Sequence, residues 1–201
     1  MTGYQLILLK DIIEELGEEK AKEILSQFSC PLNLDVETFL HNNAIEFAKQ
    51  SIAATHLVFS SYKARPIIAG YFSLANKNII VANRSISATL RRRIKKFGTF
   101  DPDRKGYRIS APLIAQLGKN YSKDYNRLIT GDELLHIACN KVVQVQEMIG
   151  GRIVYLECED KPHLVQFYES NGFVSFGQRP LDRDETDVLS GTYLIQMLKY
   201  L

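Results

Sequence analysis

The chain has 201 residues, of which 45% are hydrophobic, and its 25 basic and 23 acidic side chains leave a formal net charge of +2. This size and apolar content suit a single α/β domain with a full core. The balanced charge gives no argument from composition for a dedicated nucleic-acid binder or a membrane-surface protein. The three cysteines and four histidines lack metal-type spacing, so we expect no metal site and a reducing, cytoplasmic setting.

The N-terminal quarter predicts two helices. Its apolar stretch at 6–9 gives way at once to charged residues, which makes it too short for a signal peptide or a membrane span. From Lys10 to Phe28 apolar residues recur with a period close to 3.6, so an amphipathic helix is predicted there. Asp35 is the predicted N-cap of a second helix.

The next part of the chain predicts strands. Residues 56–61 and 67–74 are rich in β-formers, and the run 63–66 between them predicts the turn of a hairpin. Residues 79–81 predict a third strand. Residues 109–117 predict a further strand, in which Pro112 indicates an edge position, a strand start or a bulge.

Between these strands lies the most basic segment of the sequence, from Arg84 to Arg108. Its nine basic and two acidic residues give a local charge of +7, which leaves −5 for the remainder of the chain. Its densest part can contact phosphates, although a solvated helix face is the plainer interpretation; this cluster comprises Arg91, Arg92, Arg93, Lys95 and Lys96.

The C-terminal part predicts alternating helices and strands. Helical periodicity from Thr130 to Ile149 ends at a glycine pair, and residues 153–156 form a buried strand. Pro162 opens a helix that ends at Asn171-Gly172. Residues 173–176 and 193–198 predict two late strands, separated by an acid-rich loop that includes 182–187.

The start of the long helix permits two interpretations. Free backbone N–H groups and the helix dipole converge at Ile129-Thr130-Gly131, which suits an anion. Thr130 and Glu133 also have the spacing of a capping box, which would cap the helix without any ligand. Asp132 and Glu133 would in addition repel a phosphate. Local chemistry leaves both interpretations open.

Three motifs, taken in order, resemble the GNAT superfamily of acetyl-CoA-dependent N-acetyltransferases. They are the hairpin residues 69–75, the strand–loop–helix at 117–135, and Phe167-Tyr168-Glu169-Ser170-Asn171-Gly172-Phe173 after a strand. The segment 28–40 also looks like the start of the GNAT toxins that acetylate aminoacyl-tRNA. The resemblance implies an α+β fold with a central mixed, mostly antiparallel sheet flanked by helices. It divides the chain into an N-terminal helical extension, 1–27, and a GNAT domain, 28–201.

The resemblance also implies where acetyl-CoA binds. The pantetheine arm is expected at Leu117, Gly118 and Lys119, and Arg127 or Lys119 is expected to supply positive charge for the cofactor. The pyrophosphate is expected at the turn formed by Leu128, Ile129, Thr130, Gly131 and Asp132. Only the last glycine of the family's usual motif is present, and Ile129 places a Cβ where a close backbone approach usually needs none.

Tyr168 matches the tyrosine that protonates the departing CoA thiolate in many members of the family, and a phenol suits that role. The alternative is a tyrosine on an apolar helix face. For a general base the sequence offers Glu157, Glu159 and Asp160, and a chain of water molecules would serve equally well.

The function implied by the resemblance is acetyl transfer from acetyl-CoA to a primary amine by direct attack in a ternary complex. The acceptor is left open. One alternative is toxin-like acetylation of aminoacyl-tRNA, with the basic cluster contacting tRNA; another is a degenerate GNAT fold that binds a partner without catalysis. We expect no membrane association, and we keep a homodimer open as the assembly.

Overall fold

The computed structural model describes residues 3–182, 189 and 191–201. Within these ranges, no helix is both long and apolar enough to cross a bilayer. The chain forms two compact units, one made of Met1–Ala75 and Ala115–Ala138 and the other of Asn76–Ile114 and Cys139–Leu201. The division at 27/28 stays a prediction. The predicted acid-rich loop falls largely on residues 183–188, outside the described residues.

The first unit begins with a strand and a set of short helices. Strand β1 (Gln5–Leu8) is followed by α1 (Leu9–Leu16) and α2 (Glu18–Leu25). Then come α3 (Leu34–Thr38), one π-helical stretch (Phe39–Asn43) and α4 (Ala44–Lys49). Their apolar faces share one core, whose fully buried members include Leu9, Leu25, Phe28, Leu40 and Tyr71.

Two predictions for this region are wrong in detail. The single helix predicted from Lys10 to Phe28 is two helices, because Gly17 adopts a φ of 83° that a continuous helix cannot contain. The N-cap of α3 is Asn33 rather than Asp35, since the Asn33 side chain accepts a hydrogen bond from the Val36 amide.

The predicted hairpin is present as β2 (Ala54–Tyr62) and β3 (Arg65–Ala82), which pair antiparallel. Lys63 and Ala64 have φ values of 49° and 60°, as a tight hairpin turn requires. Strand β1 adds to the other side of β2. The third strand predicted at 79–81 is a continuation of β3, because the chain does not turn between 74 and 79.

The later strands are β4 (Thr99–Asp101), β5 (Gly106–Lys119), β6 (Ile153–Glu159), β7 (Val174–Pro180) and β8 (Tyr193–Tyr200). They belong to the second unit, except for the last five residues of β5, 115–119, which belong to the first. Here the order is β3, β5, β6, β8, β7, with β4 on β5. Among the strands of the described residues, only β5 and β6 pair in parallel, through Leu113–Tyr155 and Ile114–Leu156. The predicted mixed, mostly antiparallel pairing is therefore confirmed.

Three helices complete the fold: α5 (Ala88–Ile94), α6 (Gly131–Ile149) and α7 (Pro162–Ser170). The long helix predicted from Thr130 is confirmed within one residue. Pro112 does not lie on an edge strand, since β5 has neighbours on both sides, but the parallel pairing with β6 begins directly after it at Leu113. A prolyl nitrogen, which cannot donate, is accommodated at that start.

Candidate functional site

The end of β5 carries the residues expected to bind the pantetheine arm, and Gly118 is tightly packed there. A Cβ at Gly118 would collide with the Val36 side chain, and one at Gly70 would approach the Gly118 carbonyl oxygen to 2.9 Å. Both glycines are buried. A side chain at position 118 is therefore excluded by α3 packing, independently of any ligand.

The backbone at this end of β5 presents two different edges. The Gly118 carbonyl oxygen lies near Gly70 of β3, and the Asn120 amide donates to Ala69 at 2.9 Å. Successive residues of a strand direct their backbone groups to opposite edges. The amides and carbonyls of Leu117 and Lys119 consequently face the edge away from β3, where an extended ligand arm can pair with them.

Asn120, which no sequence pattern singles out, holds this strand end in place. It is fully buried. Its Oδ1 accepts from the amides of Ser29 (3.1 Å) and Ser122 (2.9 Å). Its Nδ2 donates to the carbonyls of Gln27 (3.2 Å) and Ile68 (2.8 Å). One amide thus satisfies four backbone groups from three segments beside Lys119.

The turn that precedes α6 is anchored from both sides. Tyr125–Arg127 form a 3₁₀ turn, and the Leu128 carbonyl accepts a hydrogen bond from the Tyr4 hydroxyl at 3.1 Å. Ile129 is 1% exposed. Its side chain therefore packs into the core of the protein, which explains an apolar residue at a position where the family usually has glycine.

The first turn of α6 is closed by a capping box. The Thr130 amide donates to Glu133 Oε2 at 2.8 Å, and the Glu133 amide donates to Thr130 Oγ1 at 3.1 Å. These hydrogen bonds from Thr130 lower the pKa of Glu133, with a smaller contribution from Lys119. The charged Glu133 carboxylate therefore already accepts a hydrogen bond from one of the backbone N–H groups that would otherwise bind an anion at this turn.

Two cations lie close to this turn. The charge of Lys119 acts on Glu133. Arg127 is 81% exposed, and its contact with Asp124 is a long one of 4.0 Å, so that pair contributes little and the guanidinium can meet another anion. All nine residues expected to bind acetyl-CoA belong to the first unit.

Tyr168 belongs to the second unit, on α7. Its ring makes edge contacts with Phe167 and Phe173, at centroid distances of 5.0 and 5.9 Å. Its hydroxyl has no hydrogen-bond partner among the described residues. Burial raises the pKa of Tyr168 well above its ordinary value, and the Cys158 thiol nearby adds to the shift. The phenol therefore keeps its proton at neutral pH and can act as a donor.

The three candidate bases all have partners already. Glu157 accepts from Arg179 Nε at 2.6 Å and from Gln196 at 2.8 Å. Glu159 is 8% exposed and pairs with Lys161 at 2.7 Å. Asp160 accepts from the Tyr193 hydroxyl at 2.6 Å. These contacts single out none of the three.

The basic cluster lies on and just after α5, whose N-cap is Ser87. All five of its side chains are exposed. Arg93 stacks on the Tyr200 ring at 4.8 Å, and Arg91 donates to the Asn83 carbonyl at 3.4 Å. Within the described part of the chain, Arg92, Lys95 and Lys96 make no ion pair. The cluster is thus a solvated surface with cations available to a partner.

No protein-family model and no curated protein matches this sequence. Solved toxin structures do match its fold. AtaT complexed with acetyl-methionyl-tRNAfMet has a TM-score of 0.62 and 15% identity, covering 96% of this chain and 94% of that chain. A tyrosine-to-phenylalanine mutant of KacT has a TM-score of 0.61 and 14% identity, covering 98% and 94%.

A third match is a tyrosine-to-phenylalanine mutant of AtaT bound to the C-terminus of the antitoxin AtaR and acetyl-CoA. Its TM-score is 0.59 at 14% identity, and the match covers 98% of this chain and 92% of that chain. The matched structures are GNAT toxins, so the fold predicted from the sequence motifs is confirmed.

Proposed function

We propose that this chain is an acetyl-CoA-dependent N-acetyltransferase. The observation that carries the proposal is the match of nearly the whole chain to the fold of the toxins AtaT and KacT, including a structure that contains acetyl-CoA. The outward edge of β5 supports it further. Leu117 and Lys119 offer backbone groups to the pantetheine arm, and Lys119, Arg127 and Gly131 lie at the turn proposed for the pyrophosphate.

In the proposed reaction the unprotonated amine attacks the thioester carbonyl carbon. The C–N bond forms, the C–S bond breaks, and the electron pair of the broken bond leaves on sulfur. Tyr168 donates its hydroxyl proton to that sulfur, and the proton lost by the amine passes to water or a carboxylate. Because its pKa is raised, Tyr168 is protonated at neutral pH when the thiolate forms, and the phenolate left after the transfer regains a proton from water.

For the acceptor we propose an aminoacyl-tRNA. Two observations favour it over a small amine: AtaT was solved with acetyl-methionyl-tRNAfMet, and the Arg84–Arg108 segment carries +7 in a chain of net charge +2. An acceptor with a phosphate backbone is attracted by such a one-sided field, whereas a small amine does not require it.

Calorimetric titration with acetyl-CoA followed by a transfer assay tests the proposal. We expect saturable binding, and transfer of labelled acetyl groups to aminoacylated tRNA but not to deacylated tRNA, which lacks the amine. If the folded protein does not bind acetyl-CoA, the proposal is wrong, and the remaining hypothesis is a degenerate fold that binds a partner without catalysis. Binding with transfer only to small amines or protein amines would remove tRNA as the acceptor.

A further inference from the structure

The second unit contains an open cavity of about 520 Å³ that the proposed acetyl transfer does not use. Its volume is in the range of pockets that hold small molecules, roughly 300–1,000 Å³. The lining combines an amide, an ammonium group, a glycine and two aromatic rings; the residues are Asn83, Lys95, Gly98, Phe100 and Tyr107. This composition suits a ligand that is flat, polar at its edge and negatively charged.

The aromatic wall of the cavity is built by a strand pair. Phe100 of β4 lies opposite Tyr107 of β5 in the antiparallel register. Their ring centroids are 5.4 Å apart at an angle of 62°, and Phe100 is 47% exposed. An exposed aromatic ring fixed beside a cavity offers the kind of surface on which nucleobases stack, irrespective of their sequence.

The amide wall is incompletely satisfied. Asn83 is held through its backbone, because its N–H donates to the Lys105 carbonyl at 3.0 Å. Its side-chain oxygen is buried, yet it has no hydrogen-bond partner in the described part of the chain. Because this oxygen is inaccessible, Asn83 can meet a ligand in the cavity only through its remaining side-chain donor, Nδ2. That donor favours a ligand with a hydrogen-bond acceptor at its edge.

The charge around the cavity is positive. Lys95 lines it, and Arg92 and Lys96 nearby in sequence make no ion pair with any described residue. The closest acid in sequence, Asp101, accepts from the Arg108 guanidinium at 3.1 Å and from the Arg104 amide at 3.1 Å. With its carboxylate occupied, Asp101 does not offset the unpaired cations, and a phosphate is favoured.

We propose that this cavity binds one unstacked nucleobase together with its phosphate, as presented by single-stranded RNA. The base stacks on the exposed ring of Phe100, which Tyr107 supports edge to face; an acceptor at the edge of the base meets Asn83 Nδ2, and the phosphate meets Lys95. The proposal rests on the proposed tRNA acceptor in taking RNA as the partner. Its test involves no acetyl-CoA, so the two proposals fail separately.

The test measures binding of fluorescein-labelled hexaadenylate, and of an RNA duplex of the same length, by anisotropy. Removal of an aromatic ring on which a base stacks lowers the affinity for single-stranded nucleic acid about fivefold or more. Phe100→Ala should therefore weaken hexaadenylate binding by that factor. Duplex binding should be unchanged, since paired bases cannot enter the cavity. Asn83→Ala should act in the same direction.

The chain offers two matched controls. Phe97 is 40% exposed and belongs to the same basic segment but does not line the cavity, so Phe97→Ala should leave hexaadenylate binding unchanged. Lys95→Gln should weaken binding more than Lys96→Gln, because only Lys95 lines the cavity. The lysine pair tests the proposal even if Phe100→Ala fails to fold.

The proposal is overturned if the two phenylalanine variants behave alike, or if Phe100→Ala weakens single-stranded and duplex binding equally. Adenosine monophosphate distinguishes the source of the base. Competition by it at low concentration indicates a free nucleotide in the cavity, and a Phe100-dependent strand affinity without such competition indicates RNA. If the protein binds hexaadenylate as expected but does not bind acetyl-CoA, the proposed acetyltransferase activity is wrong while the proposed base-binding site stands.

Discussion

Tyr168 is the residue on which the proposed chemistry depends, and its hydroxyl can be removed without disturbing its ring contacts. We predict that Tyr168→Phe folds and binds acetyl-CoA normally but loses about 10²-fold or more in kcat, the effect of deleting a positioned general acid. The contacts with Phe167 and Phe173 use the ring alone. Calorimetry and single-turnover transfer measure the two effects separately.

The same substitution at Tyr200, whose ring stacks with Arg93, provides the control and should leave kcat unchanged. An equal loss in both variants would indicate a general packing effect. An unchanged rate in Tyr168→Phe would make Tyr168 a packing residue.

Glu133 sets the charge at the turn before α6. We predict that Glu133→Gln increases acetyl-CoA affinity about fivefold or more, since two charges near 4 Å interact by about 1 kcal/mol even in water. Glutamine also serves in a capping box, so the start of the helix should be preserved. Titration calorimetry at low salt measures the change.

Glu147→Gln makes the same chemical change at the other end of α6 and should leave the affinity at its parent value. If Glu133→Gln binds acetyl-CoA no more tightly than this control does, the pyrophosphate does not lie at the Thr130 turn.

Single residues also show where prediction from sequence stops. The Thr130–Glu133 capping box was visible because both partners lie in one turn and their spacing is diagnostic. The structural role of Asn120 could not be predicted, because its four hydrogen-bond partners include residues as distant in sequence as Gln27 and Ile68. A buried amide of this kind is defined by tertiary contacts that no local pattern encodes.

At the level of elements, α5 carries most of the basic cluster. We predict that replacing Arg91, Arg92 and Arg93 together by Gln weakens tRNA binding and reduces its salt dependence by about one slope unit per lost phosphate contact. Acetyl-CoA affinity should not change. Retention of tRNA by parent and variant at two salt concentrations measures both effects.

A variant with the same loss of charge elsewhere isolates the contribution of α5. Lys20, Lys22 and Lys49 pair with acidic side chains of the N-terminal helices, and their replacement by Gln should leave the salt slope unchanged. Equal losses in the two triple variants would show that net charge, rather than α5, governs RNA binding. No tRNA binding by the parent at low salt would contradict the toxin-like acceptor.

Elements were predictable where one periodicity dominates. Helix α6 and the β2–β3 hairpin carry strong local signals, a broad apolar face and a tight turn respectively. The short strands β1 and β4 were not predicted. They have four and three residues, which is too few to show an alternation of apolar and polar residues. The break at Gly17 was missed because the apolar period continues across it.

At the scale of the whole molecule, the order of the helices and strands along the chain was enough to predict the fold. The chemistry of individual residues was not enough to predict the binding site. The strand–loop–helix and the Tyr168 motif occur in the GNAT sequence order, and the solved toxin structures match over nearly the full length at only 13–16% identity.

Buried phenols in both units should make the whole protein sensitive to alkali. Burial is the main cause that raises the pKa of Tyr71 and Tyr155. An unfolded chain ionises tyrosine near pH 10, so the unfolded state then binds fewer protons than the folded one. The contribution of these phenols to stability is therefore complete below about pH 10 and is lost as the pH rises towards the raised folded-state values.

We predict that the free energy of unfolding begins to fall at about pH 8.5, where the thiols of an unfolded chain ionise, because burial raises the pKa of Cys30, Cys139 and Cys158 in the folded protein. Above about pH 10 each buried phenol should steepen the fall by up to about 1.4 kcal/mol per pH unit. Urea unfolding followed by circular dichroism measures it. Tyr155→Phe should keep its packing, since Tyr155 is only 3% exposed, and should reduce the alkaline slope by roughly one proton. A slope that is identical in parent and variant would contradict the assignment, because the loss would then arise from groups other than Tyr155.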